Sequence, residues 1–207
     1  MGAPHRMALI FNFLFVMCFI VLKVSSLYEE VAGPYDLALT RISECDKKGP
    51  HSLLSNVKVG KFNRSHLVYN GVLDFGTDLD DTIQVRVLAS NKGTNGRYNN
   101  VIDAQYKICD LVRTFAMDIF LSVYDHCNQT YMCPTKRLNC EMKNWVVDYN
   151  LRNIPALPYG DYRCDIIILK IQQFKKPELF SCLRTHGTVT PKMEIQPTTN
   201  QRAKKKQ

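Results

Sequence analysis

The sequence predicts an all-β protein, a two-sheet antiparallel β-sandwich with one short inserted α-helix. Apolar and polar residues alternate with a period of two in about eight segments at regular spacing, as in half-buried strands. One segment, residues 110–123, instead follows the three-and-four spacing of a helix. Because each such element has an apolar face to cover, we expect the segments to pack in layers around one core.

The first residues of the chain have the organisation of a leader. His5-Arg6 precedes an apolar run over residues 7–22, and Val24-Ser25-Ser26 then supplies the small residues of a cleavage site. This order predicts a secretory signal peptide over residues 1–26. A signal anchor is the alternative, although the run is short for a membrane span. We therefore expect a secreted, extracellular protein with one β-sandwich domain over residues 27–190.

The net charge of +8 lies largely at the ends of the chain. Residues 191–207 are polar and contain Arg202, Lys204, Lys205 and Lys206, so a disordered basic tail is expected there. Peripheral contact of this tail with an anionic membrane is the alternative. Since the charge left on the domain is small, nucleic acid is not predicted as a partner.

The cysteines indicate an oxidising compartment. Seven remain after the signal peptide, and most are expected in disulfides. Because seven is odd, one cysteine is free or pairs with another chain. Two sequons, at Asn63 and Asn128, agree with export and are expected as glycosylation sites on surface loops. The seven are Cys45, Cys109, Cys127, Cys133, Cys140, Cys164 and Cys182.

Five strands are predicted before the helix, over residues 35–45, 53–62, 67–75, 82–89 and 98–108. The last three are separated by short turns, so they are expected to form an antiparallel meander. In residues 98–108, alternation places Tyr98, Ile102, Ala104 and Tyr106 on the inward face.

The predicted helix carries Val112, Phe115, Ile119 and Val123 on its apolar face, which must lie on a sheet. Cys109 precedes the helix and Cys127 follows it, so disulfides at these two cysteines are placed to staple the helix to the sheet. Strands at residues 142–147, 157–170 and 179–189 complete the prediction. The second of these, LPYGDYRCDIIILK, opens with a turn and becomes apolar on both faces, so something must cover each face.

No signature of catalysis or metal binding is present. His51, His66, His126 and His186 are scattered outside any GxSxG or HExxH sequence. The acidic run at residues 78–81 lacks the later glycine and glutamate of a calcium loop, so it is predicted to be a solvated turn. The cysteine spacings match no zinc ribbon or knuckle. We therefore expect a protein that is not an enzyme and needs no cofactor.

The residues on the predicted inward faces admit two interpretations. They either fill a core or line a cup that holds a small apolar ligand, and periodicity does not separate the two. The candidates for the cup are Tyr69, Leu73, Phe75, Ile83, Val85, Val87, Ile102, Tyr106, Phe115, Ile119, Tyr162, Ile166 and Ile168.

An ordered set of short motifs over residues 62–189 resembles an insect-expanded family of secreted proteins related to the ganglioside activator protein and to ML-like lipid-recognition domains. Its best-known members are the Che-type chemosensory proteins. The motifs are Asn63-Arg64, Tyr69-Asn70-Gly71, Ile108-Cys109-Asp110, Cys133-Pro134, Lys143-Asn144-Trp145 and residues 157–163, LPYGDYR.

The resemblance implies an immunoglobulin-like sandwich whose sheets separate into a lipid-recognition cup for acyl chains, lipids or cuticular hydrocarbons. It also implies a role in chemosensation, including pheromone detection, with a membrane receptor as a partner. By position it implies disulfides Cys45–Cys182 and Cys127–Cys133. Cys140 and Cys164 depart from the family pattern and are candidates for a third pair that leaves Cys109 odd, with other pairings open.

A function of a different class competes with this one. The chain is alternatively an extracellular structural or receptor-binding module with a solid core, acting through its surface. In that case the odd cysteine would link two copies in a covalent dimer.

Overall fold

The computed structural model describes residues 31–62, 67–146 and 151–192. The predicted signal peptide, the tail from residue 193 and the sequon at Asn63 therefore lie outside the described residues. The strands are β1 (Ala32–Gly33), β2 (Tyr35–Glu44), β3 (Leu54–Lys61), β4 (Leu67–Asp74), β5 (Ile83–Lys92), β6 (Tyr98–Lys107), β7 (Asn139–Val146), β8 (Leu157–Pro158), β9 (Gly160–Lys170) and β10 (Glu178–Pro191).

The strands form an all-β sandwich of antiparallel sheets, as the sequence predicts. A five-stranded sheet has the order β2-β10-β9-β5-β6, and a three-stranded sheet has the order β3-β4-β7. The short β1 and β8 pair with each other beside them. The eight longer strands coincide with the eight predicted segments to within a few residues.

The predicted meander of three strands is wrong. β5 and β6 form a hairpin, but β4 pairs with β3 and β7 in the other sheet. The chain crosses between the sheets after β4, at a turn where Gly76 has φ +69° and a Cβ would collide with the His51 ring. A short turn between two amphipathic strands suits such a crossing as well as a hairpin, because either arrangement buries both apolar faces.

The predicted helix is present and longer than residues 110–123. It consists of α1 (Ile108–Leu111), a π-helical turn (Val112–Ala116) and α2 (Met117–His126). Val112, which is fully buried, packs in one core cluster with Ile83 and Val85 of the five-stranded sheet. Val123 packs in a second cluster with Leu73 and Met142 of the three-stranded sheet. The helix thus fills the space between the two sheets at one end.

Three disulfides cross-link these elements, namely Cys45–Cys182, Cys109–Cys133 and Cys127–Cys140. The first joins the end of β2 to β10, which is the pairing that the resemblance implies. The other two bond the cysteines on either side of the helix to the segment that follows it, so the predicted stapling of the helix is confirmed.

The pairings implied for the remaining cysteines are wrong. Cys127 is bonded to Cys140 and not to Cys133, and Cys164 is the free cysteine in place of Cys109. The sheet topology explains this outcome. Cys140 lies on β7 opposite Leu73, whereas Cys164 lies in the other sheet opposite Ala89 of β5.

One ion pair fixes the segment after the helix to β4. The Arg137 Nε donates to the Asp74 Oδ1 at 2.8 Å, and a second guanidinium N–H donates to the other carboxylate oxygen. The Arg137 guanidinium, followed by the backbone N–H of Gly76, holds the pKa of the Asp74 carboxyl below its usual value. A lowered pKa in the folded state stabilises the fold above the carboxyl's unfolded pKa.

We expect Asp74→Asn to lower the free energy of unfolding at pH 7 and to have a much smaller effect near pH 2. The reason is that the contribution of Asp74 disappears as the pH falls through its folded pKa. Urea unfolding at both pH values measures the difference, with the exposed Asp36→Asn as the control. A difference that stays constant down to pH 2 would contradict the role assigned to the charge.

Candidate functional site: the inner face of the five-stranded sheet

The inner face of the five-stranded sheet is organised in rows of residues that lie opposite one another on neighbouring strands. Directly opposed residues in antiparallel strands point to the same face. One row contains Val85 and Ile168, which belong to the core cluster beneath the helix. The next row contains Ala104, Val87, Ile166 and Leu183, on β6, β5, β9 and β10. We call this second row the apolar stripe.

The apolar stripe is only half-buried along its whole length. Val85, in the row before it, is 1% exposed, and Ala89, in the row after it, is 8% exposed. Val87 lies between these two on the same strand and yet remains partly accessible, as does Ile166 on the central β9. A central strand is covered on both sides by its neighbours, so this access must come from the direction of the other layer. Val87, Ile166 and Leu183 also pack against the core cluster beneath the helix, so the second layer covers the apolar stripe only in part.

The two ends of the apolar stripe differ. At the β6 edge, Tyr106 is 36% exposed and packs edge-on against Phe115 of the π-helical turn, with ring centroids 5.5 Å apart. At the opposite side, Leu183 lines a groove of ≈170 Å³ with Ile42, Leu54 and Val57. This groove lies between the edge strand β2 and β3 of the other sheet, so it forms an opening beside the stripe.

The free cysteine lies in the row that follows the apolar stripe. Cys164 stands opposite Ala89 and Thr185, and the Thr185 hydroxyl donates to the Cys164 carbonyl oxygen at 3.4 Å. Burial, with a smaller contribution from Asp165, raises the pKa of the Cys164 thiol to about 12. Only the thiolate is strongly nucleophilic, so this thiol is unsuited to covalent catalysis at neutral pH.

The candidates for the cup divide between buried residues and residues that stay partly accessible. Ile83, Val85 and Ile168 are buried in one core cluster, and Leu73 is buried in the other. Tyr69 and Tyr162 are buried as well. The candidates that remain partly accessible are Phe75, Val87, Ile102, Phe115, Ile119, Ile166 and, at the edge, Tyr106.

Two residues of the apolar stripe were not among the predicted candidates. Ala104 lies on the predicted inward face but has a small side chain, and Leu183 lies on the last strand, for which no inward face was assigned. The alternation on β10 identifies the face of Leu183 only once its register against Ile166 is known. Cross-strand register is therefore the signal that sequence reasoning lacked.

The acidic run and the sequon at Asn128 both lie in turns. Asp80 closes the turn at residues 78–81 by accepting hydrogen bonds from the backbone N–H and hydroxyl of Thr82, at 2.8 and 2.6 Å. Asn128 lies on the surface with φ 53°, in the turn after α2. Across residues 31–62, 67–146 and 151–192, no group of three or more His, Cys, Asp or Glu side chains is arranged to hold a metal ion. Within the same ranges, no helix has the length and apolar character to cross a membrane.

Comparison with known proteins leaves the function to be argued from this geometry. A scan against protein-family models finds no match, and no curated protein matches the chain.

Proposed function

We propose that this protein is a secreted, non-enzymatic binding protein that holds a small apolar ligand, such as a fatty-acyl chain, another lipid or a cuticular hydrocarbon, between its sheets. The observation that carries the proposal is the apolar stripe, which stays half-buried on an inner face where core residues are normally covered. Burying a chain there gains about 0.8 kcal/mol for each methylene removed from water. A ligand of this class needs neither a catalytic group nor a cofactor.

The proposal places the protein outside the cell and, by its resemblance to the Che-type family, in chemosensation with a membrane receptor as partner. The three disulfides within one small domain support an oxidising compartment. The apolar lining supports the ligand class. The resemblance alone supports the role in chemosensation and the choice between a lipid and a hydrocarbon.

We expect the purified protein to bind a fluorescent long-chain fatty acid, cis-parinaric acid, saturably and to release it to a competing acyl chain. Ala104→Trp should weaken this binding by at least about tenfold, because an indole over the apolar stripe occupies the volume that the chain needs. Fluorescence titration measures both effects.

Ala38→Trp is the matched control, since it adds the same bulk on the exposed, opposite face of the sheet. Absence of saturable binding, or equal binding by the wild type and Ala104→Trp, would refute the proposal.

No observation favours the competing function as a covalent dimer. The free Cys164 lies on the inner face of the central β9 with its thiol largely buried. A second chain would have to enter between the sheets to reach this sulfur. Non-reducing electrophoresis is expected to give a monomer.

A further inference from the structure

The outer face of the five-stranded sheet carries a row of three basic side chains. His186 of β10 stands directly opposite Arg41 of β2 on one side and Arg163 of β9 on the other. Neighbouring strands are about 4.8 Å apart, so the two arginines lie roughly 10 Å from each other across the histidine. The pKa of the His186 imidazole is lowered, so the positive charge of the row belongs to Arg41 and Arg163, which stand two strands apart.

The acidic residues nearby do not remove this positive charge. Asp165 and Asp46 are both engaged by Arg184, at 2.7 and 3.1 Å. Asp161 accepts the Thr188 hydroxyl at 2.9 Å and lies 3.9 Å from the Lys92 ammonium. Among the described residues, neither Arg41 nor Arg163 forms an ion pair with a carboxylate.

A groove and an aromatic ring accompany the basic row. The groove has a volume of ≈300 Å³ and is lined in part by Arg41, Tyr98, Asp161 and His186. The Arg163 guanidinium lies over the Tyr98 ring, 4.9 Å from its centroid, and the same ring packs edge-on against His186 at 6.2 Å. Tyr98 thus holds the guanidinium in place at the border of the groove.

We propose that this outer groove binds a phosphate monoester, with Arg41 and Arg163 donating hydrogen bonds to its oxygens from either side of His186. Such a group carries nearly two negative charges and several acceptor oxygens, which two guanidinium groups match in charge and geometry. The ester's organic part would lie along the groove toward Tyr98 and Thr188. The site is independent of the apolar stripe, because the sheet separates the two faces.

The electrostatics of His186 agree with this assignment. Burial, followed by the charges of Arg41, Arg184 and Arg163, lowers the pKa of the His186 imidazole, and Asp165 opposes the change. The same face also carries Asp161 and Lys92, and farther along the sheet the paired Arg86 and Asp103. A bound dianion adds negative charge beside the ring, so it should raise the His186 pKa.

The test is an NMR titration of the full chain with glucose 6-phosphate, with inorganic phosphate as a competitor. We expect saturable binding, an upward shift of the His186 pKa in the complex, and a loss of affinity of at least about tenfold in Arg41→Gln/Arg163→Gln. Arg113→Gln, which removes an exposed charge on the helical segment, is the control and should change the affinity by less than about twofold.

A second arm identifies the source of the phosphate. The protein is also mixed with phosphatidylcholine vesicles that contain phosphatidic acid. If it binds these vesicles but not glucose 6-phosphate, and Arg41→Gln/Arg163→Gln abolishes the vesicle binding, the groove is assigned to a lipid head group. The proposal is overturned if neither probe binds, if the double variant binds as the wild type does, or if Arg113→Gln loses as much affinity.

Discussion

Replacing Cys45 and Cys182 together by serine is expected to lower the free energy of unfolding by about 4–5 kcal/mol. The two residues are separated by 137 positions, so the disulfide closes most of the described chain into one loop. A cross-link over so long a loop restricts the unfolded chain strongly. It also holds the end of β2 against β10, where the Cys45 N–H donates to the Cys182 carbonyl oxygen at 3.4 Å. Urea unfolding followed by the fluorescence of Trp145, the only tryptophan, measures the loss.

Two further variants test the reason for this effect. The Cys127–Cys140 disulfide spans only 13 positions, so its removal should cost less, about 3 kcal/mol. Cys164→Ser breaks no cross-link and should cost no more than about 1 kcal/mol. If the short loop proves as important as the long one, the restriction of the unfolded chain is not the source of the stability.

Tyr124→Ala is expected to destabilise the protein by about 3–5 kcal/mol, because it removes a large aromatic side chain from a closed cluster. Tyr124 belongs to α2, is 1% exposed and packs in the second core cluster with Leu73 and Met142 of the three-stranded sheet. Its ring lies 5.1 Å from that of Tyr131 and 6.4 Å from that of Phe75, measured between centroids. The resulting cavity would remove the ring contact between the helix and Tyr131, in the segment that follows the helix.

Tyr124→Phe keeps the ring and removes only the hydroxyl, so it separates the contribution of packing to the stability from that of the hydrogen bond. The Tyr124 hydroxyl donates to the Thr135 Oγ1 at 3.3 Å, and losing that bond alone should cost about 1 kcal/mol. Thermal and urea unfolding of the two variants give the comparison. A loss in Tyr124→Phe as large as that in Tyr124→Ala would assign the effect to the hydroxyl and contradict the packing argument.

Tyr98 shows how a local pattern failed within a correctly predicted strand. Alternation along residues 98–108 places Tyr98 on the same face as Ile102. In the structure Ile102 stands opposite Ala89, whereas Asn100 stands opposite Ser90, so Val101 is an extra residue in the ladder. This β-bulge reverses the alternation and turns Tyr98 to the outer face, beside Arg163 and His186. The basic row and its groove were therefore not predictable from periodicity.

The candidate site shows the same limit in another form. Val87 and Ile166 were predicted to face inward, and they do. Their partial exposure depends on where the second layer stops, which is a property of how two sheets and a helix fit together. Val85 and Val87 belong to the same pattern on the same strand, yet one is fully buried and the other is not.

The sequence by itself determined the extent of the eight longer strands, the position of the helix and the all-β sandwich. Each of these depends on side-chain alternation or helical spacing within about ten residues, which the chain encodes locally. Only the tertiary structure decided that β4 joins β3 and β7, that Cys164 is the free cysteine, and that the apolar stripe is only half-buried. Sheet register and layer packing are set by contacts between segments far apart in the chain, and local periodicity contains no record of them.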